Sequence, residues 1–272
     1  MASLIEGYEY DIFISYRQKD NKYDGWVTDF VNNLKSELEA TFKEEVSIYF
    51  DINPHDGLLE THDVDASLKE KLKCLVFIPV ISRTYCDPKS FAWKHEFKEF
   101  IDVAGNDRLG LKVKTPNGNI TSRVLPVRIH ELNKADIELC ESVTGGVLRG
   151  IEFVYKSTGV NRPLRATEDR PHDNLNKTYY RDQINKIANA IEEVISGLII
   201  LNNIPLSERE SNVTESVTSQ KDIITDRKGK RSVSDEKTRH RPAIRFPRFK
   251  KRWMLPVFIL LIPLILSAGF IV

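Results

Sequence analysis

Two periods of apolar residues alternate along the first ~200 positions of the chain. YDIFISYR, ending at Arg17, holds a short apolar run that predicts a buried strand. NKYDGWVTDFVNNLKSELEATF follows with helical spacing, its stripe formed by Trp26, Phe30, Leu34 and Leu38. VSIYFD (46–51) predicts a second strand. INPHDGLLETHDVD reads as a loop broken by Pro54 and Gly57, and ASLKEKLK as a short helix. CLVFIPVIS (74–82) is apolar throughout, the signature of a central strand covered on both faces. SFAWKHEFKEFIDVA (90–104) predicts a helix with Ser90 as its N-cap. DRLGLKVKTPNGN is polar and loop-like, with Asn117-Gly118 as a turn. RVLPVRI (123–129) and GIEFVY (150–155) predict strands four and five. YYRDQINKIANAIEEVISGLII (179–200) predicts a long helix with Ile184, Ile187, Ile191, Val194 and Ile195 inward. Strands alternating with helices imply a parallel sheet covered on both sides, and five units suit a flavodoxin-like order.

The pattern then changes. Residues 205–240 carry few apolar residues and no sustained period, so they read as a disordered linker. RPAIRFPRFKKR (241–252) forms a basic collar. Residues 253–272, WMLPVFILLIPLILSAGFIV, hold no charge over a length that can span a bilayer as a helix. Trp253 stands where an interfacial aromatic belongs, and the collar places the preceding chain in the cytoplasm. The expected organisation is a globular domain at 1–204, a basic linker at 205–252 and a transmembrane helix at 253–272. The molecule would be a single-pass membrane protein with its N-terminal domain cytoplasmic.

Composition narrows the partners. Of 272 residues, 40 are basic and 39 acidic, so the chain is not a polycation built for nucleic acid. Three cysteines with no CxxC pair offer neither a disulfide framework nor zinc spacing. No metal site is expected, and no GxGxxG or P-loop is present.

One acid stands out. At about 100° per residue, Phe97, Phe100 and Ala104 share a helical face with Trp93, and Glu96 lies about 60° to one side, at the rim of that stripe. Glu96 is therefore either a solvated border residue or a carboxylate presented to a cleft. Parallel α/β sheets bind ligands outside the carboxyl ends of their strands. That rule brings in Ser15, Tyr16 and Arg17 at the end of the first strand and Asp51 at the end of the second. Tyr85, just before the helix, could line the same cleft.

The ordered set resembles TIR domains over roughly residues 8–200. Asp11, Phe13, Ile14, Ser15 and Tyr16 are similar to the family's opening strand. Tyr49-Phe50-Asp51 resembles the end of its second strand, ahead of the loop that mediates TIR–TIR contacts. Residues 75–82 resemble its third strand, and Ser90, Trp93 and Glu96 its Ser/Trp/Glu helix. The resemblance implies one of two functions. Many TIR domains cleave NAD+ between nicotinamide and ribose with a glutamate on this helix, whereas others lack it and act as interaction modules. Glu96 would be catalytic, with Trp93, Ser15, Tyr16, Arg17, Asp51 and Tyr85 around the substrate. NAD+ would be the substrate, with no further cofactor. One departure weakens the match: many NAD-cleaving members place the tryptophan four residues before the glutamate, and here that position is Ala92.

The expectation is a membrane-tethered NAD+ glycohydrolase in bacterial antiphage defence, active on self-assembly through TIR–TIR contacts and releasing ADP-ribose or a cyclic form. The alternatives are a non-catalytic TIR adaptor that recruits a partner at the membrane, and a TIR-oligomerised effector acting on the membrane through 253–272.

Overall fold

The computed structural model describes residues 3–51, 64–167, 172, 175 and 177–205. All lie within the unit Met1–Val217; the second unit, Thr218–Val272, lies outside the described residues. So do residues 52–63 of the predicted loop at 52–65, whose last two residues instead begin a helix, the linker at 205–252 beyond its first residue, and the apolar segment 253–272. Among the described residues no helix is long and apolar enough to cross a membrane.

The apolar runs pair as their patterns require. β1 (Tyr10–Ser15) lies between β2 (Ile48–Phe50) and β3 (Cys74–Ile81), parallel to both. Every residue of β3 is buried, as its uninterrupted apolar run predicts. β6 (Val127–Arg128) and β7 (Ile151–Glu152) complete a five-stranded parallel sheet in the order β2-β1-β3-β6-β7. This is the flavodoxin-like order, with its topological switch point between β1 and β3.

The helices cover both faces. α1 (Gln18–Lys22) and α2 (Trp26–Thr41) follow β1, and α6 (Tyr180–Asn203) closes the described chain. Trp26, Phe30, Leu34 and Leu38 of α2 meet the predicted isoleucine face of α6 in one core. The opposite core takes Trp93, Phe97, Phe100 and Ala104, together with Cys86 and Cys140, whose sulfurs approach to 3.7 Å. The expected strand 123–129 shortens to a two-residue ladder because Pro126 offers no N–H. Its carbonyl instead accepts from Ile151 N at 2.9 Å, beside a Gly150 whose backbone leaves no room for a Cβ.

Three segments differ from expectation. The predicted polar loop 107–119 contains half of a hairpin, β4 (Lys112–Lys114) and β5 (Ile120–Ser122), turned at Gly118 with φ 84°. Buried Val113 anchors it to α6, where a Cβ on Gly197 would sit 2.8 Å from the Lys114 carbonyl oxygen. The predicted strand 150–155 divides at buried Phe153 into β7 and β8 (Val154–Ser157), and β8 pairs antiparallel with β9 (Val160–Pro163). α5 (Lys134–Thr144) has no counterpart in the predicted elements. Asn133 caps it by accepting from Asp136 N, and Gly145 ends it with φ 67°.

A buried carboxylate ties the N-terminal segment to the sheet. Asp11 is fully buried and accepts from Leu4 N, Ser3 Oγ, Ser47 N and Ser47 Oγ, all within 2.8 Å. Asp11→Ala leaves two backbone N–H groups without their acceptor. It is expected to cost about 3 kcal/mol, read as a lower urea midpoint at unchanged slope.

Candidate functional site

Ser90 starts the site helix. Its hydroxyl accepts from Trp93 N at 3.2 Å, which fulfils the predicted N-cap. The helix is not a regular α-helix, however. Ala92–Lys98 is π-helical and passes into α4 (Glu99–Asn106). A π turn takes in about one more residue than an α turn, so positions five apart come close to one face. Phe91, Ala92 and Glu96 consequently line the same cleft. The predicted core stripe survives the change, with Trp93, Phe97, Phe100 and Ala104 all buried.

The cleft has a volume of about 390 Å³ and opens at the carboxyl ends of β1 and β2, beside the β1/β3 switch point. Phe13, Ile14, Leu68 of α3 (Val64–Lys71), Phe91 and Ala92 supply apolar wall. Arg17, Lys19 and Lys71 supply cations, and Asp51 and Glu96 carboxylates. Tyr16 donates to the Asp51 carbonyl oxygen at 2.6 Å and packs on Phe50. Lys71 Nζ donates to Tyr49 Oη at 3.1 Å, from above the Tyr49 ring. A few convergent polar groups on an apolar wall are the usual composition of a small-molecule site. A larger hollow of about 550 Å³ lies between the β4–β5 hairpin and the end of α5, and no carboxylate lines it.

Glu96 is half-buried, and its Oε2 accepts from Ser15 Oγ at 2.5 Å. Ser15 Oγ also lies 2.9 Å from Tyr85 Oη. Burial pushes the Glu96 carboxyl up to about 7; the Ser15 hydrogen bond opposes this and the nearby Asp51 charge adds to it. Glu96 in turn helps hold the Tyr85 hydroxyl, already raised by burial, well above its usual range. Burial likewise pushes Tyr16 up to about 12, with Asp51 and Glu96 adding to the rise.

The predicted site residues divide into three groups. Glu96, Tyr16, Arg17 and Asp51 line the cleft. Ser15 and Tyr85 do not: both are fully buried behind Glu96, where they hold its carboxylate. Trp93 is not a stacking surface either. It is 2 % exposed and packs edge-on against Tyr85 and Phe97, because three residues before Glu96 the helix faces the core. The accessible aromatic is Phe91, 47 % exposed and stacked on His95 at 4.8 Å. Phe91, Lys19, Lys71 and Tyr49 line the cleft as well, and they are not among the predicted site residues. Strand alternation is the signal that marks Tyr49, since it puts that residue on the side of Asp51, two residues on. Nothing in the local pattern marked Lys71, which reaches the cleft from a different helix.

No protein-family model matches the chain, and no curated protein matches it. Among solved structures, it is similar to the TIR domains in the activated Roq1 resistosome directly recognizing the pathogen effector XopQ. The identity is 14%, the coverage 66% of this chain and 84% of that chain, and the TM-score 0.31. So loose an overlap adds nothing to the strand order, on which the fold assignment rests.

Proposed function

We propose that the chain is a TIR-type NAD+ glycohydrolase in which Glu96 acts on the nicotinamide ribose. The observation that carries the reading is a single one: a half-buried carboxylate, held from behind by a buried hydroxyl, at the mouth of an apolar-walled cleft that also presents three cations. Each part has a use on a dinucleotide. Arg17, Lys19 and Lys71 supply charge for a pyrophosphate, and the apolar wall takes a base. The Nε of Arg17 is buried and has no hydrogen-bond partner among the described residues.

The chemistry asks little more of the protein. Nicotinamide leaves as a neutral molecule when the C1′–N bond breaks, so no acid has to protonate it. Positive charge develops on the ribose, and a carboxylate beside it stabilises that charge. Water then bonds to C1′ and gives its proton to Glu96, yielding ADP-ribose. Intramolecular attack in place of water would give a cyclic product. Copies tethered to a membrane by 253–272 would meet at a raised effective concentration, which favours activity by self-assembly.

The test is nicotinamide release from NAD+ by the full chain in mild detergent at high protein concentration, beside Glu96→Gln. Release that survives the substitution sinks the assignment of Glu96. No release at any concentration favours the adaptor reading. Phe91 is expected to serve as the base's wall in place of Trp93. Phe91→Ala should raise KM for NAD+ about 10-fold with little change in kcat, and Phe91→Tyr should retain the parent value.

A further inference from the structure

We infer that Ser15 and Tyr85 decide which oxygen of Glu96 carries its proton, keeping Oε2 an acceptor in both states and leaving the proton to Oε1. The argument is a count of hydrogens. A serine hydroxyl has one proton, and so has a tyrosine hydroxyl. Ser15 gives its proton to Glu96 Oε2 at 2.5 Å. At 2.9 Å from Tyr85 Oη, Ser15 Oγ can then only accept, so Tyr85 is the donor. The chain runs one way, Tyr85 to Ser15 to Glu96.

A proton on Oε2 would turn the Glu96–Ser15 bond around. Glu96 would donate to Ser15 Oγ, and Ser15 Oγ and Tyr85 Oη would have two protons but one bond between them. Either the Ser15 or the Tyr85 proton would then have nowhere to go, since both residues are fully buried and neither hydroxyl has a further hydrogen-bond partner among the described residues. Leaving a buried O–H unmade is costly. A proton on Oε1 avoids this, because Oε2 remains the carbonyl oxygen that Ser15 bonds. Oε1 takes no hydrogen bond from the described protein groups, and Glu96 lines the cleft.

The neighbours that share in this titration are few. From the end of β1 come Tyr16 and Arg17, and from α1 comes Lys19. From the end of β2 come Tyr49 and Asp51, and from α3 comes Lys71. Burial and then Asp51 favour the protonated form, and the Ser15 hydrogen bond opposes it. With the carboxyl raised to about 7, the same cleft-facing oxygen alternates near neutral pH between accepting and donating a hydrogen bond. Ser15 and Tyr85 are thus positioning residues, acting on a ligand only through Glu96. The inference rests on Glu96 being the working carboxylate of the proposed function, but not on NAD+ being the ligand.

The test reads Glu96 without substrate, in the full chain. The Glu96 carboxyl signal is identified by its absence in Glu96→Gln, both in the infrared carbonyl band at pH 5 and in the ¹³C titration of labelled glutamate. Ser15→Ala should move the midpoint up by roughly one pH unit, the size of one lost hydrogen bond to a carboxylate. It should also shift the protonated carbonyl band to higher wavenumber, since Oε2 no longer accepts. Ser15→Thr should restore both, and Tyr85→Phe should give a smaller upward midpoint shift. If Ser15→Ala does not fold, Ser15→Thr and the near-isosteric Tyr85→Phe carry the comparison. An unmoved midpoint in Tyr85→Phe, or an unmoved carbonyl band in Ser15→Ala, overturns the inference. Shifted signals in a chain that releases no nicotinamide uphold it and overturn the enzymatic reading. Nicotinamide release with unmoved signals does the reverse.

Discussion

Glu96→Gln should reduce nicotinamide release by at least two to three orders of magnitude and, at pH 8, make the protein more stable. The loss follows from removing the only charge of Glu96 where positive charge develops on the ribose; single electrostatic contributors of this kind are worth about 10²–10³ in rate. The gain follows from linkage. The carboxyl lies near 4.5 unfolded and about 7 folded, so the native state favours its protonated form. The corresponding stability is present in full below the unfolded value and is lost as pH rises through the folded one. At pH 8 the ionised Glu96 therefore costs on the order of 2–3 kcal/mol. Glutamine keeps an oxygen for the Ser15 hydroxyl and carries no charge. Melting temperatures of the two proteins should separate at pH 8 and converge below pH 4.5. A separation independent of pH would remove burial of charge as its cause. Activity of the parent should fall with a midpoint near pH 7 as Glu96 takes up its proton.

Arg123→Met should cost about 3–5 kcal/mol, the loss typical when one partner of a buried ion pair is removed. Arg123 is 1% exposed. Its Nη1 donates to Asp107 Oδ2 at 2.6 Å, its Nη2 to the Cys74 carbonyl at 2.6 Å and its Nε to the Leu75 carbonyl at 2.8 Å. The guanidinium also lies over the Tyr8 and Phe100 rings. One side chain thus joins the start of β3, the end of α4 and the N-terminal segment. Methionine fills much of the volume but leaves the Asp107 carboxylate without its cation and the Cys74, Leu75 and Gly110 carbonyls without the guanidinium donor. Urea unfolding at pH 7 measures the loss. Arg123→Lys should recover little of it, since an ammonium cannot reach three directions in one plane. A loss under 1 kcal/mol would mean that water replaces the guanidinium at no cost.

The parts of this protein that the sequence made legible are those with a strong local period. β3 was recognisable as central from eight consecutive buried-type residues, and α2 and α6 from their apolar stripes. The hairpin at 112–122 was not, because its stability comes from Val113 lodging against α6, some 80 residues away in the chain. α5 was not legible either: its apolar face, with Cys140 the buried residue, gives no stripe to follow.

The site shows the same division at the level of single residues. Sequence alone determined that Glu96 stands at the rim of an aromatic stripe and that Tyr16, Arg17 and Asp51 follow strands at the carboxyl edge where the cleft opens. Those conclusions need only the periods of helix and strand. Tertiary structure decided the rest. It placed Lys71 in the cleft from a helix with no local mark of function, brought Phe91 of the Glu96 helix into the cleft wall, and changed the helix register at Ala92–Lys98. It also buried Ser15 and Tyr85 as a hydroxyl pair behind the carboxylate. The physical reason is that backbone periodicity is local, whereas desolvation and hydrogen-bond direction depend on which distant residues surround a group.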